Sequence, residues 1–136
     1  TPMINTVLCI DDDFTTQFLT KILLNDAGIG GNFVTANNGR EALDYLHNLL
    51  SKNINDKNVP QLILLDLNMP IMDGWEFLDH YSKNYANKLP LVKVYINSSS
   101  IDPKDFEKAK TYSCVKDFIS KPLNENFVHV LKATLE

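Results

Sequence analysis

The chain has 136 residues, 44% of them hydrophobic and 22% charged, with a formal net charge of −4. That length supports one domain with a real core, and the composition is that of an ordinary globular chain. The lysines are scattered and Arg40 is the single arginine, so the chain lacks the basic clusters that nucleic-acid phosphates require.

Two cysteines do not make a disulfide scaffold. Cys9 falls inside an apolar run and Cys114 between a helix and a strand, which predicts reduced thiols, buried or half-buried. No apolar run approaches the length of a membrane span and no signal-peptide pattern opens the chain. The expectation is a cytoplasmic protein with no membrane partner. Thr1-Pro2 ahead of Met3 leaves the natural ends open, and the expected domain covers residues 3–136.

In chain order, Val7-Leu8-Cys9-Ile10 reads as a buried strand ending at Asp11-Asp12-Asp13. Phe14, Phe18, Leu19, Ile22 and Leu23 then recur at helical spacing, which predicts a helix with that face inward, stopped by Gly28-Ile29-Gly30-Gly31. Phe33-Val34 is a short strand. Asn38 caps a helix whose apolar face is Ala42, Leu43, Leu46, Leu49 and Leu50. The polar stretch from Ser51 to Asn58 is a loop, and Pro60 leads into Leu62-Ile63-Leu64-Leu65, a strand that ends at Asp66.

Asp73-Gly74 begins a helix carrying Trp75, Phe77, Leu78 and Tyr81. Pro90 precedes a strand in which Val92, Val94 and Ile96 alternate with Lys93 and Tyr95, ending at Ser98-Ser99-Ser100. Asp102-Pro103 is a cap with proline at the first helical position, and that helix runs past Phe106 and Ala109 toward Tyr112. Phe118-Ile119 is the last strand, followed by Lys121-Pro122. Asn124 caps a final helix with Phe127, Val130, Leu131 and Leu135. Five strand-then-helix units imply an α/β fold, a parallel sheet covered on both faces.

In such open sheets, ligands bind beyond the carboxyl ends of the strands. With strand order 2-1-3-4-5, strands one and three are neighbours, which brings Asp11 and Asp12 close to Asp66. Two carboxylates ~4 Å apart repel by about 4 kcal/mol at an effective dielectric of 20. A hard divalent cation such as Mg²⁺ would relieve that repulsion, taking carboxylates, waters and phosphate oxygens as ligands. Lys121 supplies further positive charge. Asp13 reads as a helix cap rather than a ligand. His47, His80 and His129 fall in helices without a second ligand at metal spacing and read as surface histidines.

The residues Val7 to Asp12, Leu65-Asp66-Leu67-Asn68-Met69-Pro70 with Met72-Asp73-Gly74, Ser98-Ser99 and Lys121-Pro122 resemble the response-regulator receiver domain of two-component signalling over essentially the whole chain. The long loop after the second helix and the Ser-Ile-Asp-Pro segment resemble small stand-alone receivers. The resemblance implies that Asp66 is the phosphoacceptor, taking a phosphoryl group from a histidine kinase or a histidine phosphotransfer protein. It implies Mg²⁺ held by Asp11, Asp12, Asp66 and the backbone carbonyl of Asn68. Lys121 would pair with a phosphoryl oxygen, across a cis Lys121-Pro122 bond. Ser98 would move toward the phosphoryl group, with Phe118 as the aromatic that follows it. A conformational change would then control a downstream protein, which the sequence does not name. The fourth helix, fifth strand and fifth helix would be the face for that target or for a homodimer.

The bottom-up chemistry agrees. A carboxylate is a competent nucleophile toward phosphorus, and phosphoryl transfer needs mainly positioning and charge neutralisation. Two departures stand out: Phe118 lacks the hydroxyl of the frequent tyrosine, and Asn97 replaces a residue that is usually apolar. Two other functions compete. A phosphatase of the haloacid-dehalogenase type also uses an aspartyl phosphate with Mg²⁺, but it places a second Asp where this chain has Asn68. A receiver reduced to a binding module would lack an acid, the hydroxyl or the lysine, and none is missing. The expectation is a signalling domain that promotes its own phosphorylation and dephosphorylation, not an enzyme acting on other substrates.

Overall fold

The computed structural model describes residues 4–52 and 59–135. Strands and helices alternate: β1 (Thr6–Ile10), α1 (Phe14–Asp26), β2 (Asn32–Ala36), α2 (Gly39–Leu50), β3 (Leu62–Leu65), α3 (Gly74–Asn84), β4 (Lys93–Ser98), α4 (Pro103–Ala109), β5 (Val115–Ser120) and α5 (Glu125–Leu135). All pairings are parallel, in the order β2-β1-β3-β4-β5. This is the doubly wound sheet that the alternation predicts.

The continuous apolar runs of the central strands follow from burial on both faces. Leu8, Ile10, Ile63, Leu65, Val94 and Ile96 join Leu46 of α2 and Phe77 and Tyr81 of α3 in one core layer. Val7, Leu62, Leu64 and Tyr95 point the other way, against Leu24 of α1 and Phe127 and Leu131 of α5. The Tyr95 and Phe127 rings meet edge to face, 5.3 Å between centroids.

Helix starts are set by the expected side chains. Asn38 accepts from Glu41 N–H at 2.9 Å. Asp73 and Glu76 form a reciprocal capping box. Asp102 accepts from Lys104 N–H, with Pro103 in the first turn. Asn124 accepts from Phe127 N–H ahead of α5.

The inward face of α1 differs from the expectation. Phe14, Phe18, Leu19 and Ile22 are exposed, at 76, 53, 58 and 41% of their surface, and the helix buries Gln17, Thr20 and Leu24 instead. The cause is a backbone requirement. Gln17 Nε2 donates to the Asp11 carbonyl and, at 3.0 Å, to Asn37 Oδ1, so a polar side chain is drawn inward. The helix is thereby turned away from its most apolar stripe. Two smaller differences concern length. Helix α4 stops at Ala109 rather than continuing toward Tyr112, and β5 is longer than the Phe118-Ile119 pair. Of the loop expected from Ser51 to Asn58, positions 53–58 lie outside the described residues.

Candidate functional site

Asp11, Asp66 and Lys121 each extend a strand ladder by one step. Asp11 N–H donates to Ala36 O, Asp66 N–H to Ile10 O, and Lys121 N–H to Ser98 O, at 2.9, 2.9 and 3.0 Å. Backbone pairing therefore fixes these side chains at the carboxyl edge of the sheet. Asp11 and Asp66 are buried, whereas Asp12 is exposed at the mouth. One carboxylate oxygen from each of Asp11, Asp12 and Asp66 lies within 4.8 Å of the others. Lys121 Nζ bridges Asp11 Oδ2 at 2.8 Å and Asp66 Oδ2 at 3.4 Å. The Lys121-Pro122 peptide is cis, as expected.

Three carboxylates against one ammonium leave the cluster two charges short of neutrality. Oxygen-only donors in a partly dry site suit a hard divalent cation. Burial raises the Asp66 carboxyl above the ordinary range; Lys121 pulls it down and Asp11 adds to the rise. Burial alone would lower Lys121, but its hydrogen bond to Asp11 and the two nearby carboxylates win and hold the ammonium above its usual value. Beneath the site, burial and then Asp11 push the Cys9 thiol up to about 12, which leaves it an unreactive core group. Asp13 caps α1, accepting from Thr15 N–H and from the Thr16 hydroxyl at 2.7 Å. It plays the structural part expected of it.

The strand that ends at Asp66 is supported from behind by α3. Gly74 lies so close to the Asp66 carbonyl and to Leu67 Cα that any Cβ there would collide with backbone. Asn68 is exposed in this loop. Ser98 is fully buried, and its Oγ accepts from Ser100 N–H at 3.1 Å. Ser100 Oγ in turn donates to Asp105 Oδ2 at 2.5 Å and accepts from Asp102 N–H at 3.2 Å. The Ser98 hydroxyl is thus tied to the start of α4. Phe118 packs against Phe106 of α4, ring centroids 4.3 Å apart.

Trp75 stacks on Tyr112 at 6.0 Å and Tyr81 is buried, so both belong to packing as expected. His47, His80 and His129 are exposed. Gln17, Phe106, Ser100 and Asp105 are the members that sequence reasoning did not single out for these contacts. They act through partners distant in the fold or through loop geometry, which no local pattern records.

Residues 7–132 match the description of the response regulator receiver domain. A two-component response regulator from Cytophaga hutchinsonii superposes with a TM-score of 0.86 at 30% identity, covering 97% of this chain and 96% of that one. Sensor histidine kinase CheAY of Helicobacter pylori is 32% identical over 90% of this chain, and hybrid signal transduction histidine kinase I of Dictyostelium discoideum is 29% identical over 90%. The chain spans 14% and 7% of the length of those two kinases. The chain belongs to the response-regulator receiver family. It is a receiver domain of two-component signalling, with the parallel 2-1-3-4-5 sheet of its structural relatives. Among the described residues no helix is long and apolar enough to cross a membrane.

Proposed function

We propose that Asp66 is the phosphoacceptor of this receiver, loaded with the help of Mg²⁺ at Asp11, Asp12, Asp66 and the Asn68 carbonyl. The observation that carries this reading is the buried Asp66 carboxylate. It is ion-paired to Lys121 within a three-acid cluster that lacks two positive charges. In the transfer step an Asp66 oxygen attacks the phosphorus of a phosphohistidine. The phosphorus–nitrogen bond breaks, an oxygen–phosphorus bond forms, and the imidazole leaves to take up a proton. Mg²⁺ supplies charge neutralisation for the phosphoryl oxygens when bound. Lys121 is placed to take one of those oxygens, and the Ser98 hydroxyl to follow by releasing Ser100 N–H.

The donor in this reading is a histidine kinase or a histidine phosphotransfer protein. Support for it lies beside the site, where Leu19, Ile22 and Leu23 of α1 and Lys121, Pro122 and Leu123 line a groove of about 380 Å³. The exposed Phe14 and Phe18, stacked at 6.4 Å, extend that apolar surface. A contiguous exposed apolar patch marks an interaction site, and a partner helix carrying the phosphohistidine would fit it. The α4, β5 and α5 edge is the corresponding surface for a downstream target or a second copy.

Intact-protein mass spectrometry after incubation with acetyl phosphate, with and without Mg²⁺, tests the assignment. The expected result is one phosphoryl adduct that needs Mg²⁺ and is absent from Asp66→Asn. An adduct at normal yield on Asp66→Asn would sink it. No adduct on the wild type, with Mg²⁺ binding also absent, would favour a phosphorylation-independent binding module.

A further inference from the structure

The face of the sheet that carries Asp11, Asp66 and Lys121 also carries a buried polar residue whose side-chain oxygen has no hydrogen-bond partner. Side chains alternate along a strand. Tyr95 of β4 packs on Phe127 together with Leu62 and Leu64 of β3. Two steps on from Tyr95 and Leu64, the same face presents Asn97 and Asp66. On β5, Ile119 packs against that layer, and two steps on from it stands Lys121. The register places Asn97 opposite Ile119 on one side, and the Leu65–Ile96 pairing places it beside Asp66 on the other. Lys121 starts on β5 and ends at 3.4 Å from Asp66, beyond β3. Its side chain must cross the carboxyl end of β4, where the residue that the register sets beside Asp66 on that face is Asn97.

Asn97 is 5% exposed, and its Oδ1 is a fully buried acceptor without a hydrogen-bond partner. A buried unpaired amide oxygen destabilises the fold relative to an apolar side chain of similar size. Lys121, two residues beyond the Ile119 that pairs with Asn97, has three ammonium donors and spends two on Asp11 and Asp66. We propose that Asn97 is a positioning residue for Lys121, its side-chain oxygen accepting an ammonium proton once Asp11 is committed to the metal. Held from below, the lysine presents its remaining donors to the phosphoryl oxygens. Without that acceptor the flexible stem swings toward solvent. The inference rests on the reading of Asp66 as an Mg²⁺-dependent phosphoacceptor.

Asn97→Val and Asn97→Thr have nearly the same shape, both suit a strand, and differ in one oxygen. Asn97→Val is expected to raise the melting temperature and to slow Mg²⁺-dependent phosphorylation by acetyl phosphate about 10-fold, the size of one charge-assisted hydrogen bond. Asn97→Thr is expected to keep most of the wild-type rate. In a Lys121→Met background the two variants should react equally, because the effect runs through the lysine. With Mg²⁺ and beryllofluoride bound, the Lys121 ammonium protons should exchange with water slowly in the wild type and Asn97→Thr, and faster in Asn97→Val, read by NMR. Equal rates for Val and Thr in the Lys121 protein, or a difference that persists without Lys121, would overturn the proposal. A wild type that gains no adduct would instead overturn the reading beneath it.

Discussion

Lys121 is the cation that bridges Asp11 and Asp66 among the described residues, and its removal has a calculable consequence. At an effective dielectric of 20, unit charges 3.4 Å apart attract by about 5 kcal/mol. Part of that is offset by the desolvation of both groups, and a fifth of the lysine side chain remains exposed and screened. A net loss of about 1–3 kcal/mol in Lys121→Met is therefore expected when no metal is present. That corresponds to a fall in melting temperature of about 3–10 °C for a domain of this size. Mg²⁺ should reverse the ranking. With the competing ammonium gone the three acids attract a divalent cation more strongly, so the variant binds Mg²⁺ tighter and gains more melting temperature from it than the wild type does. Differential scanning calorimetry in EDTA and across a Mg²⁺ titration reads both effects. An unchanged melting temperature in EDTA, or a Mg²⁺-induced rise no larger than in the wild type, would refute the electrostatic account.

The exposed rings of α1 make a second prediction: Phe14→Ser with Phe18→Ser should leave stability within about 0.5 kcal/mol, as for other exposed sites. The double variant should still be phosphorylated by acetyl phosphate but receive phosphate more slowly from its histidine donor. Loss of both activities, or of the fold, would contradict that surface assignment. The raised Asp66 carboxyl makes a third. In metal-free protein, carbon-13 NMR of its carboxyl should show an inflection above the ordinary value of about 3.9. Between the ordinary and the raised value the folded chain holds more protons than the unfolded one, so this group's contribution to stability falls as pH rises through that window. Asp73→Ala removes the bond that the Asp73 carboxylate accepts from Glu76 N–H and should cost about 1 kcal/mol, read as a lower denaturation midpoint in urea.

The carboxyl edge of the sheet was legible because each strand there is a short apolar run broken by a polar residue, and parallel pairing aligns those breaks. Asp11, Asp66, Ser98 and Lys121 all sit where that pattern put them. Capping residues were equally readable, since Asn38, Asp73 and Asp102 act on backbone a few residues away. The phase of α1 was not. Apolar spacing alone favoured Phe14, Phe18 and Ile22 as the buried stripe, whereas the helix buries Gln17, whose amide bonds the Asp11 carbonyl. The partner of Phe118 was also hidden, because Phe106 meets it through the packing of α4 on β5 rather than through sequence proximity.

The close approach of Gly74 to the Asp66 backbone gives the site an uneven compliance. Toward α3 the strand that ends at Asp66 rests on main-chain atoms and a doubly bonded helix cap, with no side chain to rotate out of the way. Toward α4 it faces a buried hydroxyl held by one hydrogen bond, a serine loop and a seven-residue helix. A group added to Asp66 therefore meets a wall on one flank and a hinge on the other. The direction in which this domain can yield is built in before any ligand arrives.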